Sequence, residues 1–142
     1  MTESNQFLGY GIGLRRAHYD LLLEDGHEMP DWFEIISENF MNFGGASRRL
    51  LNKLLSREIP IIPHGVGLSL GSIDPLNQDY MEHLNKLIKL VNPPWFSDHL
   101  CFSSSYNHQY HDLLPVLQTA KSAEMICERI KKIEDKFGRT FA

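Results

Sequence analysis

The chain has 142 residues, 42% of them hydrophobic and 23% charged, with a formal net charge of −4. That is the composition of a soluble globular domain long enough to bury a sizeable core. The 14 lysines and arginines are scattered rather than gathered into a basic stripe for a nucleic-acid backbone, and no apolar run approaches the roughly 18 residues of a membrane span. The opening "MTESNQFLGYGIG" lacks the basic-then-apolar order of a signal peptide. Cys101 and Cys127 form neither a CxxC motif nor a zinc pattern, so both are read as reduced and the expected location is the cytoplasm.

Taken in chain order, the pattern alternates between strand and helix. "GYGIGLR" (Gly9 to Arg15) reads as a short glycine-rich strand, and "AHYDLLLEDG" as a helical segment stopping near Gly26. "WFEIISEN" (Trp32 to Asn39) is a second strand, followed by "ASRRLLNKLLSR". There Leu50, Leu51, Leu54 and Leu55 make the stripe of a half-buried helix. "IPIIPHGVGLSL" is a third strand. Asp74, with Pro75 next to it, reads as the N-cap of a helix whose apolar face is Met81, Leu84, Leu87, Ile88 and Val91. Pro93–Pro94 ends that helix, and "PPWFSDHLCF" (Pro93 to Phe102) is a fourth strand. "SSSYNHQYHDLLP" reads as a polar loop carrying solvated His108 and His111. It leads to a last helix from about Thr119 to Phe137, striped by Ile126, Ile130, Ile133 and Phe137 and stopped by Gly138. Four strand–helix units with no linker or internal repeat imply one α/β domain with a parallel sheet.

The polar residues fall at corresponding places. Strand one ends in Arg15 with His18 just beyond, strand two in Glu38 and Asn39, strand three in His64, and strand four in Asp98 and His99. Barrels of parallel strands assemble their sites at that C-terminal edge, where the loops converge. Adjacent strands lie about 4.8 Å apart, so imidazoles from His64 and His99 could reach a single metal ion. Nitrogen and carboxylate donors suit iron, zinc or manganese, and spacing does not choose among them. A lone buried histidine is more often a hydrogen-bonded core residue, but two at equivalent strand ends weigh more heavily than one. The plainer reading of Glu38 and Asn39 is a loop cap, that of Arg15 an ion pair, and that of Cys101 a core thiol. Gly65, Gly67 and Gly71 in "HGVGLSLGS" precede no helix at P-loop spacing and no GK[ST], so they read as tight backbone beside a site.

The blocks "GIGLR…H", "WFEIISEN", "HGVGLSLGS", "FSDHL" and "HDLLP" occur in the order found in the multinuclear non-haem iron-dependent oxidative enzymes, and the chain resembles that family from about Gly9 to Arg139. The resemblance implies a TIM-barrel oxygenase with two or three iron ions. Its substrates would be cysteine or other residues of ribosomally made precursor peptides, often presented by a small partner protein. His64 and His99 match family iron ligands. Asp98 and Glu38 are candidates for a catalytic or ligand-orienting role, and Arg15, His18 and Asn39 for substrate binding. The chain departs from the pattern at "VLQTAKSAE", where a Pro-Tyr-Thr-like sequence is expected.

A complete (β/α)8 barrel takes about 250 residues, whereas this chain reaches only "GRTFA", where the family's fifth strand brings in a Glu-Asn pair. The expectation is therefore the N-terminal half of a (β/α)8 barrel, about four parallel βα units, lacking the later ligands and inactive alone. It would self-associate or pair with a complementary half-barrel. The same strand-end residues also fit a divalent-metal sugar isomerase or endonuclease-like barrel, or a non-catalytic remnant that binds a partner. In "PPWFSDHLCF" itself, strand alternation separates neighbours. If His99 faces the barrel interior with Ser97 and Cys101, Asp98 faces the helix layer beside Phe96 and Leu100 and needs a partner there.

Overall fold

A computed structural model describes residues 7–41, 44–106 and 108–142. Among them a parallel sheet of five strands runs in the order β1-β2-β3-β4-β7, and β5 and β6 form a separate two-stranded sheet. The strands are β1 (Gly11–Gly13), β2 (Trp32–Ile36), β3 (Ile61–Gly65), β4 (Trp95–Asp98), β5 (Cys101–Ser105), β6 (His108–Pro115) and β7 (Thr140–Phe141). The helices are α1 (Tyr19–Leu23), α2 (Gly45–Ser56), α3 (Gln78–Val91) and α4 (Ala120–Phe137), with 3-10 turns at Arg16–His18 and Ser37–Asn39. Successive parallel strands joined by helices, each pairing with the next, give the α/β architecture expected from the alternation. The order is that of an opened (β/α)8 barrel. The sheet has one more strand than the four expected, because Thr140 and Phe141 pair in parallel with Trp95 and Phe96.

Alternation on the strands divides the sheet into two faces. Phe33 and Ile35 of β2, Ile61 of β3 and Phe96 of β4 turn toward the helices and are fully buried. Phe33, Ile35 and Ile61 pack with Leu50, Leu51 and Leu54 of α2 and with Leu87 and Val91 of α3. Phe96 packs with Met81, Leu84 and Ile88 of α3 and with Ile133 of α4. The leucine and isoleucine stripes read from the sequence are thus the faces that meet the sheet. On the other face Trp32 and Trp95 make an edge-to-face pair, ring centroids 6.1 Å apart.

Helix ends follow local chemistry. Helix α4 begins next to Thr119 and is closed by left-handed Gly138 (φ 62), as expected, and Thr119 proves to be its cap, accepting from Ser122 N. The start of α3 differs from the Asp74 expectation: Asn77 is the cap, its Oδ1 accepting from Tyr80 N at 3.1 Å. Asp74 lies instead in the loop before the helix, its carbonyl accepting from Arg129 Nη2 at 2.6 Å. Arg129, reaching over from α4, also donates through Nη1 to the carbonyls of Ser69 (3.3 Å) and Leu70 (3.1 Å). One guanidinium thus ties the loop between β3 and α3 to the last helix.

Two further expectations are corrected. The fourth strand does not run through to Phe102: β4 stops at Asp98, His99 and Leu100 turn out to solvent, and Cys101 begins β5 in the other sheet. The cause is that Asp98 Oδ1 takes the His99 amide hydrogen at 2.7 Å, and Cys101 N then closes a tight turn onto His99 O at 2.9 Å. Nor is "SSSYNHQYHDLLP" a loop. It forms most of the β5–β6 antiparallel hairpin, with His108 and His111 exposed on β6. The ladder pairs Phe102 with Leu114 and Ser104 with Gln109, so Tyr110 to Leu113 bulge out opposite the single residue Ser103. The hairpin is anchored by Ser69, whose Oγ accepts from Ser103 N (2.9 Å) and Ser104 N (3.2 Å), and by Gly71 N donating to Cys101 O at 2.8 Å.

Replacing Arg129 by Met should lower the unfolding free energy by about 2–3 kcal/mol, the scale for losing charged hydrogen bonds to buried carbonyls. A urea titration measures it, and an unchanged midpoint would show that these carbonyls do not depend on the guanidinium.

Candidate metal centre

The seven residues singled out in the sequence fall into three groups. The first is His64 with His99. His64 pairs with Ser97 across β3 and β4, and its Nδ1 lies 2.8 Å from Ser97 Oγ. His99, just past the end of β4, brings its Nε2 to 3.1 Å from His64 Nε2, with ring centroids 4.7 Å apart. The two imidazoles therefore converge as expected, from neighbouring strand ends.

The second group is Glu38 with Asp98, joined by Tyr80 of α3, which sequence reasoning missed. Asp98 lies on the buried side of β4 with Phe96, only 8% exposed. The partner it requires is backbone: Leu68 N donates to Oδ2 at 3.1 Å, while Oδ1 takes the His99 amide. Leu100, expected beside it on the helix layer, is instead 66% exposed, because the strand has already turned. Glu38 Oε1 accepts from Val66 N at 2.9 Å and from the Tyr80 hydroxyl at 2.5 Å. Its Oε2 is buried with no hydrogen-bond partner among the described residues. Two carboxylates thus hold alternate amides of the loop that follows β3.

The electrostatics agree with those roles. Burial pushes the Asp98 carboxyl up to about 7, amide bonds from Leu68 and His99 oppose it, and the nearby Glu38 charge adds to it. Burial, then the charges of Asp98 and Glu38, raise the Tyr80 hydroxyl far above its ordinary value, so it remains the donor to Glu38. Cys101 is buried and also raised, by desolvation and by the Asp98 charge, so it is a thiol rather than a reactive thiolate. Cys101 and Cys127 are both free.

The glycines beside this group are dictated by close approach. A Cβ on Gly65 would overlap Asp98 Oδ2 and lie 2.8 Å from the Tyr80 hydroxyl. On Gly67 it would lie 2.5 Å from Tyr80 Cε2. The spaced glycines of "HGVG" were the one sequence signal that something bulky packs there, although nothing in the pattern identified it as Tyr80.

The third group is Arg15 with Asn39. Both line a cleft of about 430 Å³ with Tyr19 and Ser47. His18 is fixed locally, its Nδ1 accepting from Arg15 N at 3.3 Å. A second cleft, about 560 Å³, runs between the loop after β3 and the bulge of β6, bounded by Glu38, Val66, Gly67, Tyr110, His111 and Asp112.

Whether a metal fits can be judged from the His64–His99 pair. Two imidazole nitrogens, each about 2.0–2.1 Å from one ion, stand about 3 Å apart in a tetrahedral or octahedral shell. The observed 3.1 Å matches that edge. Ser97 Oγ is placed to accept Nδ1–H from His64, the tautomer that leaves its Nε2 lone pair free. Among the described residues no group of three His, Cys, Asp or Glu side chains converges on such a point. The spacing of the His64–His99 pair is that of two neighbouring ligand positions.

An opened parallel α/β sheet with paired imidazoles at its C-terminal edge has the form of a barrel-type enzyme whose site gathers at the strand ends. Comparison with known proteins narrows this. A model of the family described as RiPP precursor modification enzyme MbnB/TglH/ChrH matches residues 9–142, and the chain belongs to that family, the multinuclear non-haem iron-dependent oxidative enzymes. Among curated relatives, the UPF0276 protein Anae109_1558 of Anaeromyxobacter sp. is 40% identical over 140 residues, covering 98% of this chain and 48% of the relative. A UPF0276 protein of Caulobacter vibrioides is 38% identical over 133 residues, covering 94% of this chain and 47% of the relative. One of Rhizorhabdus wittichii is 40% identical over 131 residues, covering 92% and 47%. The chain thus spans about half the length of the curated relatives it matches, in keeping with a sheet that corresponds to the first part of a barrel. No helix among the described residues is long and apolar enough to cross a membrane.

Gly65→Ala should force the Asp98 carboxylate or the Tyr80 ring aside and lower Tm by about 5–10 °C, the scale of an overpacked core position. Thermal unfolding by circular dichroism reads this, and a Tm within about 1 °C of the parent would mean that the close packing at Gly65 is not required.

Proposed function

We propose that this chain carries the N-terminal part of an iron-dependent oxidative enzyme acting on ribosomally made precursor peptides, with His64 and His99 as iron ligands. The observation that carries the proposal is the 3.1 Å approach of the two Nε2 atoms, in a chain whose family is described as modifying RiPP precursors. Iron, when bound, supplies redox chemistry with dioxygen and Lewis acidity toward a substrate thiolate. In the family as a whole the centre holds two or three ions, and the remaining ligands belong to the part of the barrel that follows in the relatives.

The chain's own residues have separable tasks. Ser97 holds the Nδ1–H of His64 and so aims Nε2 at the metal. Asp98 holds the amide of His99 at the turn where β4 ends, and so sets the direction of that side chain. Glu38 and Asp98 act as positioning residues, because one oxygen of each, Glu38 Oε1 and Asp98 Oδ2, accepts an amide hydrogen of the loop. Arg15 offers five N–H donors at the mouth of its cleft, suited to a carboxylate or to peptide carbonyls, and Asn39 beside it adds both donor and acceptor. His18 steadies that corner through the Arg15 amide. The 560 Å³ cleft along β6 has room for a length of extended peptide. In this reading the cysteine to be oxidised belongs to the substrate; of the chain's own two thiols, Cys101 is buried in the core and Cys127 lies on α4.

The physiological partners in this reading are the precursor peptide and a small protein that presents it, in the cytoplasm. The open edges of β1 and β7 pair with the rest of the barrel or with a second, complementary copy.

With half its ligands, the site should take up ferrous iron weakly. Anaerobic calorimetric titration of the parent should give one class of weak sites, and His64→Ala or His99→Ala should each weaken it at least about tenfold, whereas His111→Ala should leave it unchanged. Undiminished binding in either of the first two variants would contradict the assignment.

A further inference from the structure

We infer that Tyr80 is a positioning residue for the histidine pair, acting through Glu38 and the loop after β3; the inference rests on the reading of His64 and His99 as metal ligands. The connection can be followed atom by atom. The Tyr80 hydroxyl donates to Glu38 Oε1 at 2.5 Å. The same oxygen accepts from Val66 N at 2.9 Å, two residues after His64. Two residues further on, Leu68 N is held by Asp98 Oδ2, and the other oxygen of that carboxylate holds the amide of His99. A hydroxyl on α3 is therefore joined to both imidazole-bearing strand ends through two carboxylates and two loop amides. The Tyr80 ring adds a steric hold, since it fills the space that a side chain on Gly67 would occupy.

The arrangement has the features of a device for orientation. His99 lies beyond the end of β4 and is exposed, so no ladder hydrogen bond fixes it. Its direction depends on the Asp98 bond to its amide, and Asp98 is shared with the loop that Glu38 also holds. Glu38 serves this network as an acceptor: both of its bonds fall on Oε1, and both donors are groups that keep their hydrogens at neutral pH. This yields a distinction that a base or a simple packing role does not. Glutamine at position 38 retains a carbonyl oxygen able to accept from both Val66 N and the Tyr80 hydroxyl. Phenylalanine at position 80 retains the packed ring and removes only the hydroxyl.

The test is made on metal-free protein by long-range proton–nitrogen NMR of the histidine side chains. In the parent, His64 and His99 should each show one defined tautomer, with coupling across the Nε2–H···Nε2 contact. Tyr80→Phe should abolish that coupling and average the tautomers, while the amide signals of Phe33 and Leu84 stay in place and report an intact core. Glu38→Gln should restore the parent pattern, and Glu38→Ala should not. Cobalt titration of the same proteins should show affinity about tenfold lower in Tyr80→Phe and near parental in Glu38→Gln. A parental histidine pattern in Tyr80→Phe, or a loss in Glu38→Gln as complete as in Glu38→Ala, would overturn the inference. Metal binding lost only on substitution of His64 or His99 would, with that outcome, leave the ligand assignment standing while removing Tyr80. A parent that shows the coupling and its loss in Tyr80→Phe, yet binds no cobalt, would support Tyr80 and sink the metal reading.

Discussion

The loop that leaves β3 has amide hydrogens with no strand to receive them, and it lies where the sheet, α3 and the β5–β6 hairpin meet. A buried amide left unpaired costs about 1–3 kcal/mol, and the chain meets two of these with carboxylates. Glu38 takes Val66 N and Asp98 takes Leu68 N. Once those bonds are made, much else is determined. Asp98 lies on the buried side of β4, and the residue after it is released from the sheet. Gly65 and Gly67 are left without side chains because the carboxylate and the Tyr80 ring occupy that space. Ser69, the next residue along the loop, is then placed to anchor the hairpin.

Burial is the main reason that the Asp98 carboxyl is raised, and the nearby Glu38 charge adds to it. The arrangement persists because each oxygen that accepts has a fixed donor. Arg129 contributes from the other side, holding three carbonyls of the same loop so that it is tied by its amides to the sheet and by its carbonyls to α4. The loop is thus held from both sides next to the point where His64 and His99 approach each other.

The elements governed by local rules were legible in the sequence. The leucine stripe of α2, the extent of α4 with its Gly138 stop, and the parallel alternation all follow from periodicity or capping chemistry within a few residues. So was the convergence of His64 and His99, because equivalent strand ends in a parallel sheet are neighbours. Elements governed by distant partners were not legible. Asp74-Pro75 reads locally as well as Asn77 for a helix start, and the segment holding Asp74 is bound instead by Arg129, 55 residues on. The hairpin was hidden because β6 is exposed along nearly its whole length and carries no period-two alternation. Tyr80 was passed over because it sits among helical residues, and its role depends on a carboxylate 42 positions away. The Asp98–His99 pair was legible as a question of direction, and the break in β4 answers it.

The central claim is that the strand-end tethers hold His64 and His99 as two ligands of one metal ion. X-ray diffraction at the iron absorption edge, on crystals grown anaerobically with excess ferrous iron, tests it most directly. The account predicts an anomalous peak within bonding distance of both Nε2 atoms, with Ser97 still against His64 Nδ1. A peak bound to only one of the two histidines, or iron held at His108 or His111 with the pair still hydrogen-bonded to each other, would contradict it.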